Sequence, residues 1–167
     1  MKKYLFILIM PAIWNNLSAQ LKTYSGEFEE GRATYTYKES SDGERIYHGK
    51  FSFDGGLNRS ITGTYINGKK NGEWIYKDYK YNNKFQRTET YNNGILDGKW
   101  EWIEYIEEHT GGRLTGGIKR TIIGKEIKNY KQGKLHGVYE RDNDGSVISA
   151  TYNEGKLVGK FDYNDRY

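Results

Sequence analysis

A pair of glycines four residues apart, set between a tyrosine and alternating aromatic residues, recurs along the chain and constrains its fold more than any other feature. The segment Tyr65-Ile66-Asn67-Gly68-Lys69-Lys70-Asn71-Gly72-Glu73-Trp74-Ile75-Tyr76 sets the pattern, Y-x-x-G-x-x-x-G-x-Φ-x-Φ, with Φ usually aromatic. A second unit carries Tyr91, Gly94, Gly98, Trp100 and Trp102. A third carries Tyr130, Gly133, Gly137 and Tyr139, and a fourth Tyr152, Gly155, Gly159 and Phe161. Repetition at this period marks a stack of small supersecondary units that share one continuous core.

The spacing predicts the local structure. Aromatic residues two apart, as in Trp74-Ile75-Tyr76 and Trp100-Glu101-Trp102, fall on one face of a strand. The two glycines are expected to bracket a compact loop, where glycine adopts positive φ at no steric cost. Each unit then reads as strand, tight loop, strand. No segment after residue 19 shows a sustained helical period. The expected fold is therefore all-β: an elongated antiparallel meander of stacked hairpins over residues 20–167, as one domain without helix. Clear repeats run from about 63 to 163, and worn copies from about 24 to 56. Gly49-Lys50-Phe51-Ser52-Phe53 matches the second half of a unit. Phe28-Glu29-Glu30-Gly31, followed by Tyr35 and Tyr37, matches loosely.

A single hairpin is marginal in water, whereas stacked hairpins bury a continuous row of rings. The leading tyrosines are separated by 26, 39 and 22 residues. The long step contains residues 107–117, Glu107-Glu108-His109-Thr110-Gly111-Gly112-Arg113-Leu114-Thr115-Gly116-Gly117. Its four glycines predict an extended loop at one edge of the sheet. A break in period often carries a binding loop, although a neutral insertion also costs little.

The N-terminus reads differently. Lys2 and Lys3 precede an apolar run from Tyr4 to Trp14, and a small residue, Ala19, follows. This is the pattern of a secretory signal peptide covering residues 1–19, cleaved after Ala19, with an exported, periplasmic or secreted product. Without it, 24 Lys and Arg face 22 Asp and Glu, a net charge of +2. That near balance argues against nucleic acid as a partner. There is no cysteine, so neither a disulfide nor a lipid attached to cysteine contributes. The remaining 15 Tyr, 5 Phe and 3 Trp predict a core of stacked rings rather than a disordered chain.

The four full units resemble MORN repeats, in the variant form common in bacterial proteins. Gly68-Lys69, Gly133-Lys134 and Gly155-Lys156 carry that family's glycine-lysine step, and His136-Gly137 its histidine-glycine. Gly94-Ile95 departs from the step, and Asn71, Asp97 and Val158 stand in place of the histidine. The resemblance covers roughly residues 43–163. It implies a hairpin-stack fold and a scaffold, membrane-surface or partner-binding role, antitoxin-like in some bacterial members.

No constellation for chemistry emerges. With no cysteine and only His48, His109 and His136, no nucleophile and base stand together in sequence. Glu107-Glu108-His109 lacks the further ligands a metal needs. Glu140-Arg141-Asp142-Asn143-Asp144-Gly145 echoes half a calcium loop, but Thr151 stands where the bidentate carboxylate belongs. No catalytic, metal-binding or cofactor-binding residue is assigned, and no enzyme activity or cofactor is expected. Asn58-Arg59-Ser60 is a glycosylation sequon. The aromatics are expected to be structural. The expected function is an exported protein-binding or scaffold module of the envelope, with an immunity- or antitoxin-like role as a sub-case. The alternatives are membrane-surface association, disfavoured because Lys69-Lys70 and Lys119-Arg120 are pairs rather than clusters, and envelope glycan binding.

Overall fold

The computed structural model describes residues 20–28, 30–57, 59–80, 83–111, 116–143 and 145–165. The expected signal peptide lies outside them, as do Asn58 of the sequon, Asp144 and residues 112–115 of the long step. Thirteen antiparallel strands form one open sheet, and no helix occurs among the described residues. They are β1 (Lys22–Phe28), β2 (Gly31–Glu39), β3 (Arg45–Asp54), β4 (Arg59–Ile66), β5 (Lys69–Lys80), β6 (Asn83–Asn92) and β7 (Ile95–Thr110). Then come β8 (Gly117–Lys131), β9 (Lys134–Leu135), β10 (Gly137–Asn143), β11 (Ser146–Asn153), β12 (Lys156–Leu157) and β13 (Asp162–Asp165). From β1 to β8 neighbours in sequence are neighbours in space; β9 and β10 then both pair with β8, β10 with β11, and β12 and β13 both with β11, so the sheet is the expected elongated meander of consecutive hairpins.

The first glycine of each full unit makes the turn. Asn67-Gly68, Asn93-Gly94, Gln132-Gly133 and Glu154-Gly155 are two-residue turns with φ of 49° and 78°, 51° and 85°, 49° and 79°, and 47° and 83°. Positive φ at both central residues is the type I′ geometry, whose twist matches that of the flanking strands. The second glycine does not close a loop, contrary to the expected bracketing. Lys69-Lys70-Asn71, between the two glycines, already belongs to β5. Gly72, Gly98 and Gly49 lie at bulges where one residue of the neighbouring strand faces three. At these sites Thr36 faces residues 48–50, Gly63 faces 72–74 and Thr90 faces 97–99. A positive φ of 100°, 72° and 126° at the three bulge glycines is the backbone reason for glycine there.

The register repeats with the sequence. Each leading tyrosine stands directly opposite the second glycine of the unit before it: Tyr65 opposite Gly49, Tyr91 opposite Gly72, Tyr130 opposite Gly98, Tyr152 opposite Gly137. The turns are also tied to one another. The amide of Gly68 donates to the Tyr47 carbonyl at 2.7 Å, that of Gly94 to Lys70 at 2.8 Å, that of Gly133 to Leu96 at 2.7 Å and that of Gly155 to Leu135 at 2.7 Å.

Within the long step, Glu107–Thr110 and Gly117 are strand rather than the expected loop. Glu107 to Thr110 pair with Arg120 to Gly117, so these residues belong to the tip of an elongated β7–β8 hairpin. The tip projects beyond both neighbours, since β6 ends against Ile106 and β10 ends against Gly124. Glycine content suggested a loop, yet cross-strand pairing holds Gly117 in β8.

The described residues form one sheet with no second layer, so their core is a row of rings lying along one face. Cross-strand partners share a face, which places Tyr24, Tyr35, Phe51, Trp74, Tyr76 and Trp100 together. Trp74 is the most buried, at 1% exposure. It stacks on Phe51 at 5.5 Å and meets Tyr65 edge-on at 4.8 Å. Phe161 does not join the row: it is 56% exposed, because β12 is only two residues long and offers little to pack against.

Candidate functional site

The aromatic face divides into a capped part and an open part. Over β5–β8 the rings are covered by cations of the chain itself. The Lys70 ammonium stands 4.7 Å from the centre of Trp74, 5.2 Å from Tyr76 and 5.0 Å from Tyr91. Arg87 lies 4.4 Å over Tyr76, and Lys128 4.4 Å over Trp100. Burial pushes the Lys70 ammonium below its ordinary range, opposed by the charge of Glu89. Glu89, 8% exposed, is the buried acid of this region. It receives Arg87 Nε at 3.0 Å, the Tyr91 hydroxyl at 2.7 Å and Trp100 Nε1 at 3.2 Å. A buried carboxylate so fully matched with donors is a structural tie. Burial, then the Glu89 charge, pushes Tyr76 up to about 12, and Tyr91 is raised further by burial and its bond to Glu89.

Over β1–β4 the row is only partly covered: Tyr35 and Tyr37 are buried and Arg45 donates to the Tyr35 hydroxyl at 3.2 Å, while a groove stays open beside them. Phe28, Tyr35, Tyr47, Phe51, Phe53 and Tyr65 line a groove of about 580 Å³, floored by Ala33, with Glu30 on its wall. Among the described residues, Arg45 caps Tyr24 and Tyr37 beside it, at 4.8 and 4.9 Å. No Lys or Arg of that set stands over the rings of Phe51, Phe53 or Tyr65. Alternation creates this groove: Tyr35 and Tyr37 on β2 and Phe51 and Phe53 on β3 are each two apart, and Tyr35 pairs directly with Phe51. The Glu30 carboxylate is 73% exposed and contacts Arg59 at 3.2 Å. An apolar group entering here meets ring faces and edges, and a cation meets Glu30.

The sequence-picked residues fall in three places. Trp74, Tyr76, Trp100 and Trp102 are in the capped row, where Phe85 stacks on Trp102 at 6.1 Å. The Tyr139 hydroxyl donates to Glu126 at 3.0 Å, and its ring meets Tyr152 at 6.4 Å. The worn copies supply most of the open groove, joined by Tyr65 of the first clear unit. The histidines stay apart: His48 Nδ1 contacts the Asn67 side chain at 3.1 Å, His109 pairs with Ile118 at the projecting tip, and His136 donates its amide to Asn129. Glu140, Asp142 and Asn143 of the calcium-like run are strand residues of β10. Among the described residues no group of three or more His, Asp or Glu is placed to hold a metal ion.

Sequence reasoning overlooked Lys70, Arg87, Glu89 and Lys128. A signal existed: Arg87-x-Glu89-x-Tyr91 and Glu126-x-Lys128-x-Tyr130 put charges on the same strand face as a leading tyrosine. No family model matches the chain, and no curated protein matches it.

Proposed function

We propose that this chain is a non-enzymatic MORN-type binding module, exported by its N-terminal segment, that holds a partner protein on the aromatic face of β1–β4. The observation that carries the reading is the contrast between capped and open rings. Rings needed only to join hairpins are covered by Lys70, Arg87 and Lys128, whereas the 580 Å³ groove is left uncovered. Contiguous exposed aromatic surface with a polar rim is characteristic of interaction sites, and aromatic anchors supply most of the energy in protein interfaces. The wall carboxylate, Glu30, favours a partner that brings an apolar side chain next to a Lys or Arg. An antitoxin-like role is the special case in which that partner is a toxin acting outside the inner membrane.

The test is site-specific photo-crosslinking in envelope extract from a probe residue at Tyr47. One protein should be captured stoichiometrically, and capture should be lost on Phe51→Ala. Capture of nothing above background by folded bait would overturn the proposal. Co-flotation with anionic liposomes at moderate salt would replace it with membrane association, and saturable binding of envelope polysaccharide with a glycan-stacking role.

A further inference from the structure

Two strands at the centre of the array carry a cation and a carboxylate on the aromatic face, two and four residues before a leading tyrosine. On β6 these are Glu89 and Arg87, before Tyr91; on β8 they are Lys128 and Glu126, before Tyr130. Each pair is closed within itself: Arg87 Nε meets Glu89 at 3.0 Å and Lys128 meets Glu126 at 3.1 Å. Each cation also lies over a ring, Arg87 over Tyr76 and Lys128 over Trp100, both at 4.4 Å. A cation on a ring face, balanced by a carboxylate, is how the chain covers its own aromatic row.

On β4 the same two positions, before Tyr65, hold Gly63 and Ile61. The register agrees with the count. Ile61 stands between Phe53 and Tyr76, as Arg87 stands between Tyr76 and Trp102. Gly63 stands opposite Phe51, and the Trp74 indole fills the space a side chain would need there. The one cation on β4, Arg59, is held by Glu30 at 3.2 Å and Asp78 at 3.9 Å. On β11 the pair is also absent, with Ala150 and Ile148 before Tyr152, but the ring opposite Ala150, Tyr139, is tied by its hydroxyl to Glu126 at 3.0 Å. Over the groove, then, the carboxylate is present and the cation is not. Glu30 stands on the wall, 73% exposed; its Oε2 takes Arg59, and its Oε1 receives no bond from the described residues.

We propose that the partner's anchor in this groove is an arginine, its guanidinium over the rings of Phe51 and Phe53 and bonded to Glu30, as Arg87 lies over Tyr76 and bonds Glu89. This rests on the partner-binding reading of the groove and names the residue the partner must bring. Arginine fits better than lysine because a planar guanidinium lies on a ring while its N–H groups, in the same plane, reach a carboxylate beside it. A neutral apolar anchor would cover Glu30 and leave its second oxygen without a donor.

The probe is Nα-acetyl-arginine amide, titrated into the purified protein and followed through the ring resonances of Phe51, Phe53 and Tyr65. Saturable shifts confined to these rings are expected, with the neutral isostere Nα-acetyl-citrulline amide binding about tenfold more weakly or worse. Glu30→Gln, at an exposed site, should weaken arginine binding by about the same factor. Ile61→Arg supplies the missing cation from the chain itself and should abolish probe binding with circular dichroism unchanged, whereas Ile61→Met should keep it. No saturable shift, equal binding of the citrulline amide, or binding indifferent to Glu30→Gln would each overturn the proposal, whether or not Ile61→Arg folds. A partner cross-linked at Tyr47 and indifferent to Glu30→Gln would remove the arginine and leave the partner reading standing. Arginine binding with no partner captured would do the reverse.

Discussion

The indole of Trp74 occupies the space that a side chain at Gly63 would need: a Cβ built on Gly63 would stand 2.2 Å from Trp74 Cδ2 and 2.3 Å from Cε2. The indole is anchored by its Nε1, which donates to the Thr64 carbonyl at 3.1 Å, so it has no free direction in which to retreat. Gly63→Ala is expected to cost about 1–3 kcal/mol by overpacking, and Trp74→Ala about 3–5 kcal/mol. Urea denaturation measures both. A Gly63→Ala variant as stable as the parent would show that the indole is not held in place.

The four type I′ turns differ in their first residue. Asn67 and Asn93 are well suited to positive φ, whereas Gln132 and Glu154 hold φ of 49° and 47° with side chains that rarely adopt it. Gln132→Asn and Glu154→Asn should each stabilise the protein by about 0.5 kcal/mol, and Asn67→Gln should destabilise it by a similar amount. Unchanged denaturation midpoints in all three would show that the turns are set by their hydrogen bonds alone.

The raised tyrosines set the behaviour in alkali. Burial raises Tyr47, Tyr65, Tyr105 and Tyr139 above the ordinary phenol value of 10.0, and Tyr76 reaches about 12. A folded-state pKa above the unfolded one contributes stability that is whole below pH 10 and is lost as pH rises through the folded value. Stability should therefore be level toward pH 10 and fall between about 10 and 12. Phenolate absorbance followed beside far-ultraviolet circular dichroism checks this. Complete tyrosine ionisation near pH 10 with the sheet intact would contradict it.

Among the described residues, the ion pairs of the projecting hairpin tip lie at its base, where Glu107 is paired with both Lys84 and Arg120. Asn-Gly in place of residues 108–119 closes the hairpin with a type I′ turn and keeps that cluster. Stability should change by no more than about 0.5 kcal/mol, as for surface changes generally. A larger loss would place the tip in the cooperative core, beyond what its strand pairing indicates.

Period and alternation were legible because both are local. The Trp74-Ile75-Tyr76 spacing already assigns a strand face, and Asn67-Gly68 and Asn93-Gly94 already spell a type I′ turn. The second glycine was misread because its role is defined across the sheet: Gly72 is a bulge residue owing to Gly63, and Gly98 owing to Thr90. No window of sequence contains both partners. Glu89 was overlooked for the same reason, since its donors Arg87, Tyr91 and Trp100 belong to two strands. The groove was half legible: Phe28, Tyr35 and Phe51 were visible as worn repeats, but which of them a cation reaches depends on other strands, as Arg45 of β3 donates to the Tyr35 hydroxyl of β2.

The turns at residues 67–68, 93–94, 132–133 and 154–155 are spaced 26, 39 and 22 residues apart along the chain, yet each glycine amide makes the same bond to the unit before it. The sheet thus has one margin that behaves like a fixed rail and another that behaves like a fringe. Extra residues leave the rail unchanged and emerge at the opposite side, as the β7–β8 tip does. Evolution, or an engineer, is free to hang new length from that fringe one hairpin at a time without renegotiating the register of the next.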